Sequence, residues 1–179
     1  KFIQKSNNAP TLEHFEAELK KYLDIEEEVS LIPDKFILGT ITLNSTQIKN
    51  ALKELASAWK SQYALKLHQN AKELQDKIVT EMDESTKKLT TEINSLENLR
   101  FVMTVLKEIR EKESLIDFEF QKLIDRYAIL KRYNVDVPKE EHDEVFDLPI
   151  KWQKLTSTAN KVNEKIGTLQ GGFKKRLIK

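Results

Sequence analysis

Apolar residues recur at helical spacing along most of this chain. The clearest stretch is 99–138, where Leu99, Met103, Leu106 and Ile109 are followed by Ile116, Phe120, Leu123, Tyr127 and Leu130. Steps of three and four place such residues on one side of an α-helix, which predicts helix over 95–133. The stripe lapses at Arg110–Ser114, REKES, so the prediction is two helices end to end or one that bends. A second stripe runs through Ile48, Leu52, Leu55, Trp59, Tyr63, Leu67, Ala71, Leu74, Ile78 and Met82 with no Gly or Pro between them. It predicts a helix over 46–82, roughly 50 Å long at 1.5 Å per residue, more than a compact globule of this size needs.

Shorter patterns complete the chain. Residues 1–10 are expected to form an extended lead-in. Thr11 is a candidate cap for a helix over 11–29, with Leu12, Phe15, Leu19 and Tyr22 or Leu23 on one side. Its Glu26–Glu28 run lies at the helix C-terminal end, where the dipole disfavours anions, so these carboxylates face water or meet a basic partner. Pro33 ends that pattern, and 36–43 (FILGTITL) is the one β-like stretch. A lone strand is not stable, so its partner is sought elsewhere, with Thr90–Ile93 as candidate; a plain extended connector fits as well. Asn44 with Gln47, and Asn94 with Glu97, resemble capping boxes. Asp136 and Pro138 predict a short helix over 138–146, and Asp147 with Pro149 a last one over 148–170 that Gly171-Gly172 ends. The expected fold is therefore mainly α, an elongated bundle of about five to six helices in a single segment, 1–179.

Composition agrees with long helices: 33% of residues are charged, with only four Gly and four Pro, against the turn-rich profile of an all-β protein. Thirty basic and twenty-nine acidic residues nearly cancel, so no global charge draws the chain to nucleic acid or an anionic membrane. Without cysteine, a disulfide scaffold, a thiolate zinc site and a cysteine nucleophile are excluded. No apolar run approaches the roughly 20 residues needed to span a bilayer, and no signal-peptide pattern opens the chain. Asn44-Ser45-Thr46 matches the N-glycosylation pattern, for which chance is the better reading in a chain of this kind. Beginning at Lys1 and stopping in mid-pattern at Lys179, the chain is expected to be a piece of something longer.

Reactive constellations are hard to find. Gly171-Gly172-Phe173-Lys174-Lys175 lacks the spacing of a phosphate loop and the Ser or Thr after its Lys. His14, His68 and His142 are scattered, and Glu140–Glu144 (EEHDE) has neither HExxH nor EF-hand spacing. Arg110, Arg126 and Arg132 are explained by ion pairs on helix faces with Glu113, Asp125 and Glu108. The basic tail Lys174-Lys175-Arg176-Lys179 reads as the solvated side of a helix. Catalytic, cofactor-binding and metal-ligating residues are all expected to be absent. The proposed core comprises Trp59, Leu106, Phe120, Tyr127 and Trp152.

One resemblance goes further. Leu106-Lys107-Glu108-Ile109-Arg110-Glu111, Ile116-Asp117-Phe118, Tyr127-Ala128-Ile129-Leu130-Lys131-Arg132-Tyr133 and Val137-Pro138-Lys139-Glu140-Glu141 resemble the tail of axonemal dynein heavy chains just before the linker. Phe15–Val29 with Pro33, Leu43–Trp59, Trp152-Gln153-Lys154-Leu155 and Leu169-Gln170 with Phe173-Lys174-Lys175 follow in the family's order. The likeness covers about Leu12 to Lys179 and is nearest to outer-arm chains of the gamma type. Gly171-Gly172 departs from it, since relatives carry a Pro before the Phe. The resemblance implies a non-catalytic, force-bearing segment of a microtubule motor of the cilium or flagellum axoneme, present in the cytoplasm before assembly. It implies as partners other heavy chains, intermediate and light chains, and assembly or docking factors, with no nucleic acid and no membrane. It also implies that no cofactor binds this segment, ATP and Mg belonging to a downstream motor ring. The alternative is an independent spectrin-like or adaptor bundle that binds proteins through one helix face, with Phe101, Phe118, Phe146 and Phe173 as candidate contacts. A membrane-sensing helical dimer would need a concentrated basic face, against which the balanced charge argues.

Overall fold

The computed structural model describes residues 10–177, with side chains to residue 168; the expected lead-in therefore lies almost wholly outside the described residues. Four helices and one hairpin follow in order: α1 (Leu12–Leu31), β1 (Lys35–Leu38), β2 (Ile41–Asn44), α2 (Thr46–Leu89), α3 (Leu96–Arg132) and α4 (Lys139–Leu177). The chain is mainly α, with four described helices where five to six were expected.

The difference comes from two signals that do not interrupt a helix here. At Arg110–Ser114, α3 runs through unbroken. Arg, Glu and Lys are good helix formers, Lys107 and Glu111 pair across one turn at 3.6 Å, and Lys112 reaches Glu81 of α2. At Pro149, the expected boundary between 138–146 and 148–170, α4 is likewise continuous. Proline removes one backbone bond and crowds the preceding turn, but Val145, Leu148, Leu155, Ala159 and Ile166 are all buried. That stripe keeps its helical spacing on both sides of the ring. The helix also crosses Gly171-Gly172 to Leu177; a glycine lowers helix propensity by about 1 kcal/mol without ending a helix by itself.

The β-like stretch is corrected too. It is not one strand with a distant partner at Thr90–Ile93 but a hairpin: β1 and β2 pair antiparallel with Phe36 opposite Leu43 and Leu38 opposite Ile41. The two-residue turn is Gly39-Thr40. Gly39 has φ +64°, and Thr40 is not among the residues of positive φ, which suits a type II′ turn, the kind that takes glycine first and matches strand twist.

The helix ends are capped as local chemistry dictates. The Thr11 hydroxyl accepts from the His14 N–H at 3.3 Å. Ser45, rather than Asn44, immediately precedes α2, while Asn44 Oδ1 accepts from the Thr46 N–H at 3.0 Å. Ser95, rather than Asn94, caps α3 by accepting from the Asn98 N–H at 3.1 Å. At the end of α3 the Val135 N–H donates to Leu130 O and the Asn134 N–H to Lys131 O, with Asn134 left-handed at φ 53°. These bonds make a Schellman stop.

The chain divides into two compact units. The first is Lys1–Ala71 with Arg126–Asp136, the second Lys72–Asp125 with Val137–Lys179. In the first, α1 lies antiparallel to the start of α2: Phe15 meets Tyr63 edge-on at 6.5 Å, Tyr22 stacks on Trp59 at 6.3 Å, and Lys49 Nζ donates to Ile32 O at 2.8 Å. Arg132, at the end of α3, pairs with Glu16 of α1 rather than with Glu108. In the second unit, Ile78 and Met82 of α2, Ile109 and Ile116 of α3 and Trp152 of α4 line one narrow cleft of about 30 Å³. Leu106 and Ile109 of α3 also face Thr156 and Ala159 of α4. This order makes α3 antiparallel to both of its neighbours.

Candidate interaction surface

Helical side chains lie 100° apart, so a stripe stays on one side of a straight helix only if its mean spacing is 3.6 residues. From Ile48 to Ala71 the α2 stripe advances mostly by fours, and its direction turns by roughly 140° around the helix over that length. The two halves consequently point different ways. Tyr63, Leu67, Ala71, Ile78 and Met82 are buried, whereas Ile48, Leu52, Leu55 and Trp59 are exposed. Winding is the physical reason that Trp59, expected in the core, is 44% exposed, with Tyr22 stacked on one face. The other proposed core residues lie elsewhere. Leu106 and Phe120 are buried in the second unit and Tyr127 in the first. Trp152 is half-buried at the rim of the second unit's cleft.

The hairpin that leads into α2 presents a second apolar face. Alternation places Phe36, Leu38, Ile41 and Leu43 on one side and Lys35, Ile37, Thr42 and Asn44 on the other. All eight residues are exposed. Strand edges in soluble proteins are usually guarded by charge, proline or a bulge; here the eight residues carry one charge, Lys35, at the base. The hairpin is held at its root, where the Ser45 hydroxyl donates to Pro33 O, the Ser45 N–H donates to Asp34 O at 2.9 Å, and Lys49 pairs with Asp34 at 3.0 Å. Leu31, just before it, is 84% exposed. Together with Ile48, Leu52, Leu55 and Trp59, these side chains leave on the order of 1,000 Å² of apolar-residue surface in water, where a stable interface takes about 800 Å² from each partner. Neither the hairpin nor the uncovered half-stripe was legible as a surface, although Gly39-Thr40 and the four-residue steps of α2 are signals for both.

Polar groups fix how the helices meet. In the first unit Lys60 pairs with Glu26, which gives one member of the glutamate run its basic partner. Burial raises the Tyr63 phenol above its ordinary pKa near 10, and the Glu18 carboxylate beside it adds to the shift. Burial and Glu16 raise Tyr133, with Arg132 opposing. In the second unit Gln75 is fully buried and its Nε2 donates to Glu144 Oε2 at 2.7 Å. Lys151 also approaches that carboxylate, at 3.5 Å. Gln75 did not stand out in the sequence, because a Gln beside an apolar stripe is ordinarily a solvated flank, and Glu144 stood out only as part of the Glu140–Glu144 cluster.

His14 packs edge-on against Tyr63 in the first unit, and His142 lies tilted against Phe146 in the second. Among the described residues no group of three or more His, Asp or Glu is placed to hold a metal ion, and no described helix is long and apolar enough to cross a membrane. Phe101, Phe118 and Phe146 are exposed, with Lys122 Nζ lying 4.1 Å from the Phe118 ring centre; the side chain of Phe173 and the basic tail lie outside the described side chains.

These features define the class of the molecule, a long-helix packing segment with a substantial apolar face left open. The family model described as dynein axonemal heavy chain 2/5/8 coiled-coil matches residues 62–179. The flagellar outer-arm dynein gamma chain of Chlamydomonas reinhardtii is 44% identical over 95% of this chain. Dynein axonemal heavy chain 5 of Mus musculus is 33% identical over 94%, and heavy chain 8 of Homo sapiens 32% over 96%. The chain belongs to the axonemal dynein heavy chain family. It spans about 4% of the length of these relatives.

Proposed function

We propose that this chain is a non-catalytic tail segment of an outer-arm axonemal dynein heavy chain, where it holds neighbouring parts of the motor together and passes force along its helices. The observation that carries the reading is the alignment of nearly the whole chain to about 4% of a gamma heavy chain, in a segment whose helices α2, α3 and α4 are each longer than 35 residues. The apolar surface around the hairpin supports the same view, because a part that works by packing needs faces that its own residues do not cover. The segment works in the axoneme of the cilium or flagellum. Its partners are dynein heavy, intermediate and light chains, with assembly or docking factors, and neither nucleic acid nor membrane. ATP and Mg²⁺ bind in the motor ring of the parent polypeptide and not here.

The test is to isolate the native polypeptide with an antibody raised against residues 72–125, determine its length and sequence, and identify what elutes with it from axonemes. The expected result is a polypeptide many times longer than 179 residues, with phosphate-loop motifs after this segment and intermediate and light chains in the same fraction. A short polypeptide, or one absent from axonemes, overturns the proposal and leaves an independent adaptor bundle.

A further inference from the structure

The uncovered half-stripe of α2 is spaced as a helix seat. Ile48, Leu52, Leu55 and Trp59 follow one another by four, three and four residues, the step that presents knobs to a partner helix lying alongside. Ala51 and Ala58, both exposed, flank it with side chains small enough to let a helix come close. On the other flank, Ala56 and Tyr63 are already buried, with Phe15 and Tyr22 of α1 against Tyr63. The place for one more helix is thus defined on its second side by α1.

We propose that this seat is filled by a helix of the same heavy-chain polypeptide, drawn from the segment immediately preceding Lys1. The inference rests on the heavy-chain reading above. Three observations select this occupant. The relatives are so much longer that this chain covers only about 4% of them, so most of the polypeptide lies outside the structure and is tethered at high effective concentration. The open apolar residues are concentrated in the N-terminal third, Leu31 to Trp59, and elements consecutive in sequence are usually neighbours in space. Position agrees as well. α1 begins beside Tyr63 and runs back past Trp59 toward the hairpin, so the chain enters α1 at the Trp59 end of the seat, with the preceding segment on that side. The seat is apolar at all four positions, as permanent interfaces are, where transient ones are more polar.

The experiment places the photo-crosslinking residue benzoylphenylalanine at Leu55 in the full-length heavy chain, irradiates assembled axonemes and maps the adduct by mass spectrometry. The same residue at Lys154, an exposed position on α4, is the control. The expected adduct joins position 55 to a peptide N-terminal to Lys1, and the cross-linked heavy chain keeps the mass of one polypeptide. An adduct to another protein, to a second heavy chain or to none overturns the inference while leaving the heavy-chain reading intact; failure to find the segment in a heavy chain removes both. Independently, the pair Leu52→Asp and Leu55→Asp in the full chain should speed limited proteolysis N-terminal to Lys1 about tenfold, at the energetic scale of a lost seat of this kind. An unchanged cleavage rate there refutes the seat.

Discussion

Phe120 and Trp59 are both large aromatics on helical stripes, and the structure gives them different energetic weights. Phe120 is 6% exposed. Replacing it with Ala removes the ring from water-free packing and leaves a cavity that helix backbones cannot close, a loss of about 3–5 kcal/mol. Trp59 is 44% exposed and has solvent on one side. Trp59→Ala therefore leaves no enclosed void. It loses the buried part of the indole and the stack on Tyr22, together about 1–2 kcal/mol. Urea titration of the two variants and the parent chain, followed by helical circular dichroism, measures both. Against a total stability of about 5–15 kcal/mol, Phe120→Ala should shift the midpoint of its transition far more than Trp59→Ala. Equal losses would refute the exposed placement of Trp59, and a loss under about 1 kcal/mol at Phe120 would refute its place in the core.

Glu144→Ala takes away an acceptor of the buried Gln75 amide and should cost about 1–3 kcal/mol; a double-mutant cycle with Gln75→Leu should recover part of that loss, and purely additive losses would show that the two do not act together. Asn134→Gly should stabilise the chain slightly and Asn134→Ala destabilise it by about 1 kcal/mol, since the Schellman stop needs a left-handed residue; thermal melts check the order. Pro149→Ala should raise stability by up to about 3 kcal/mol by restoring a backbone bond inside α4; a lower melting temperature for the variant would refute this. Tyr63 and Tyr133 are held above their ordinary pKa, so their contribution is complete below about pH 10 and is lost as pH rises through the folded-state values. Tyr63→Phe should flatten the alkaline fall in stability, and an unaltered pH profile would contradict the shift.

The long helices were legible because a stripe of apolar residues at steps of three and four has no other good explanation over thirty residues. What failed to show was anything decided by a balance of local and tertiary terms. Pro149 and Gly171-Gly172 are breakers by propensity, yet the buried stripe through Val145, Leu148 and Leu155 outweighs the first. The charged run at Arg110–Ser114 lacks apolar residues but contains good helix formers, so a gap in the stripe is not a gap in the helix. Gly39-Thr40 carried a hairpin signal that a reading of 36–43 as one continuous strand obscures. Trp59 shows the subtlest case. Its spacing from Leu55 and Tyr63 is helical at each step, but the small angular excess of four-residue steps accumulates until the stripe has turned away from its first direction.

That winding also bears on how such a segment keeps its register. Apolar packing is non-directional, and two striped helices lose little when they slide by a turn, because similar side chains meet again. Polar pairs between helices do not tolerate such a slip. In the second unit Gln75 with Glu144 ties α2 to α4, and Glu81 with Lys112 ties α2 to α3. In the first, Lys60 with Glu26 ties α2 to α1, while Arg132 with Glu16 and the Tyr133 hydroxyl with Glu16 O at 3.4 Å tie α3 to α1. Exposed pairs of this sort add only about 0–1 kcal/mol each to stability. Their worth is in specifying one alignment among near-equals, as a buried polar residue does in a coiled coil. For a segment proposed to carry load along its helices, resistance to sliding matters more than depth of the free-energy minimum. The bond from the buried Gln75 amide to the half-exposed Glu144 carboxylate is where that resistance is concentrated in the second unit, because a one-turn slip there would part a desolvated amide from this acceptor.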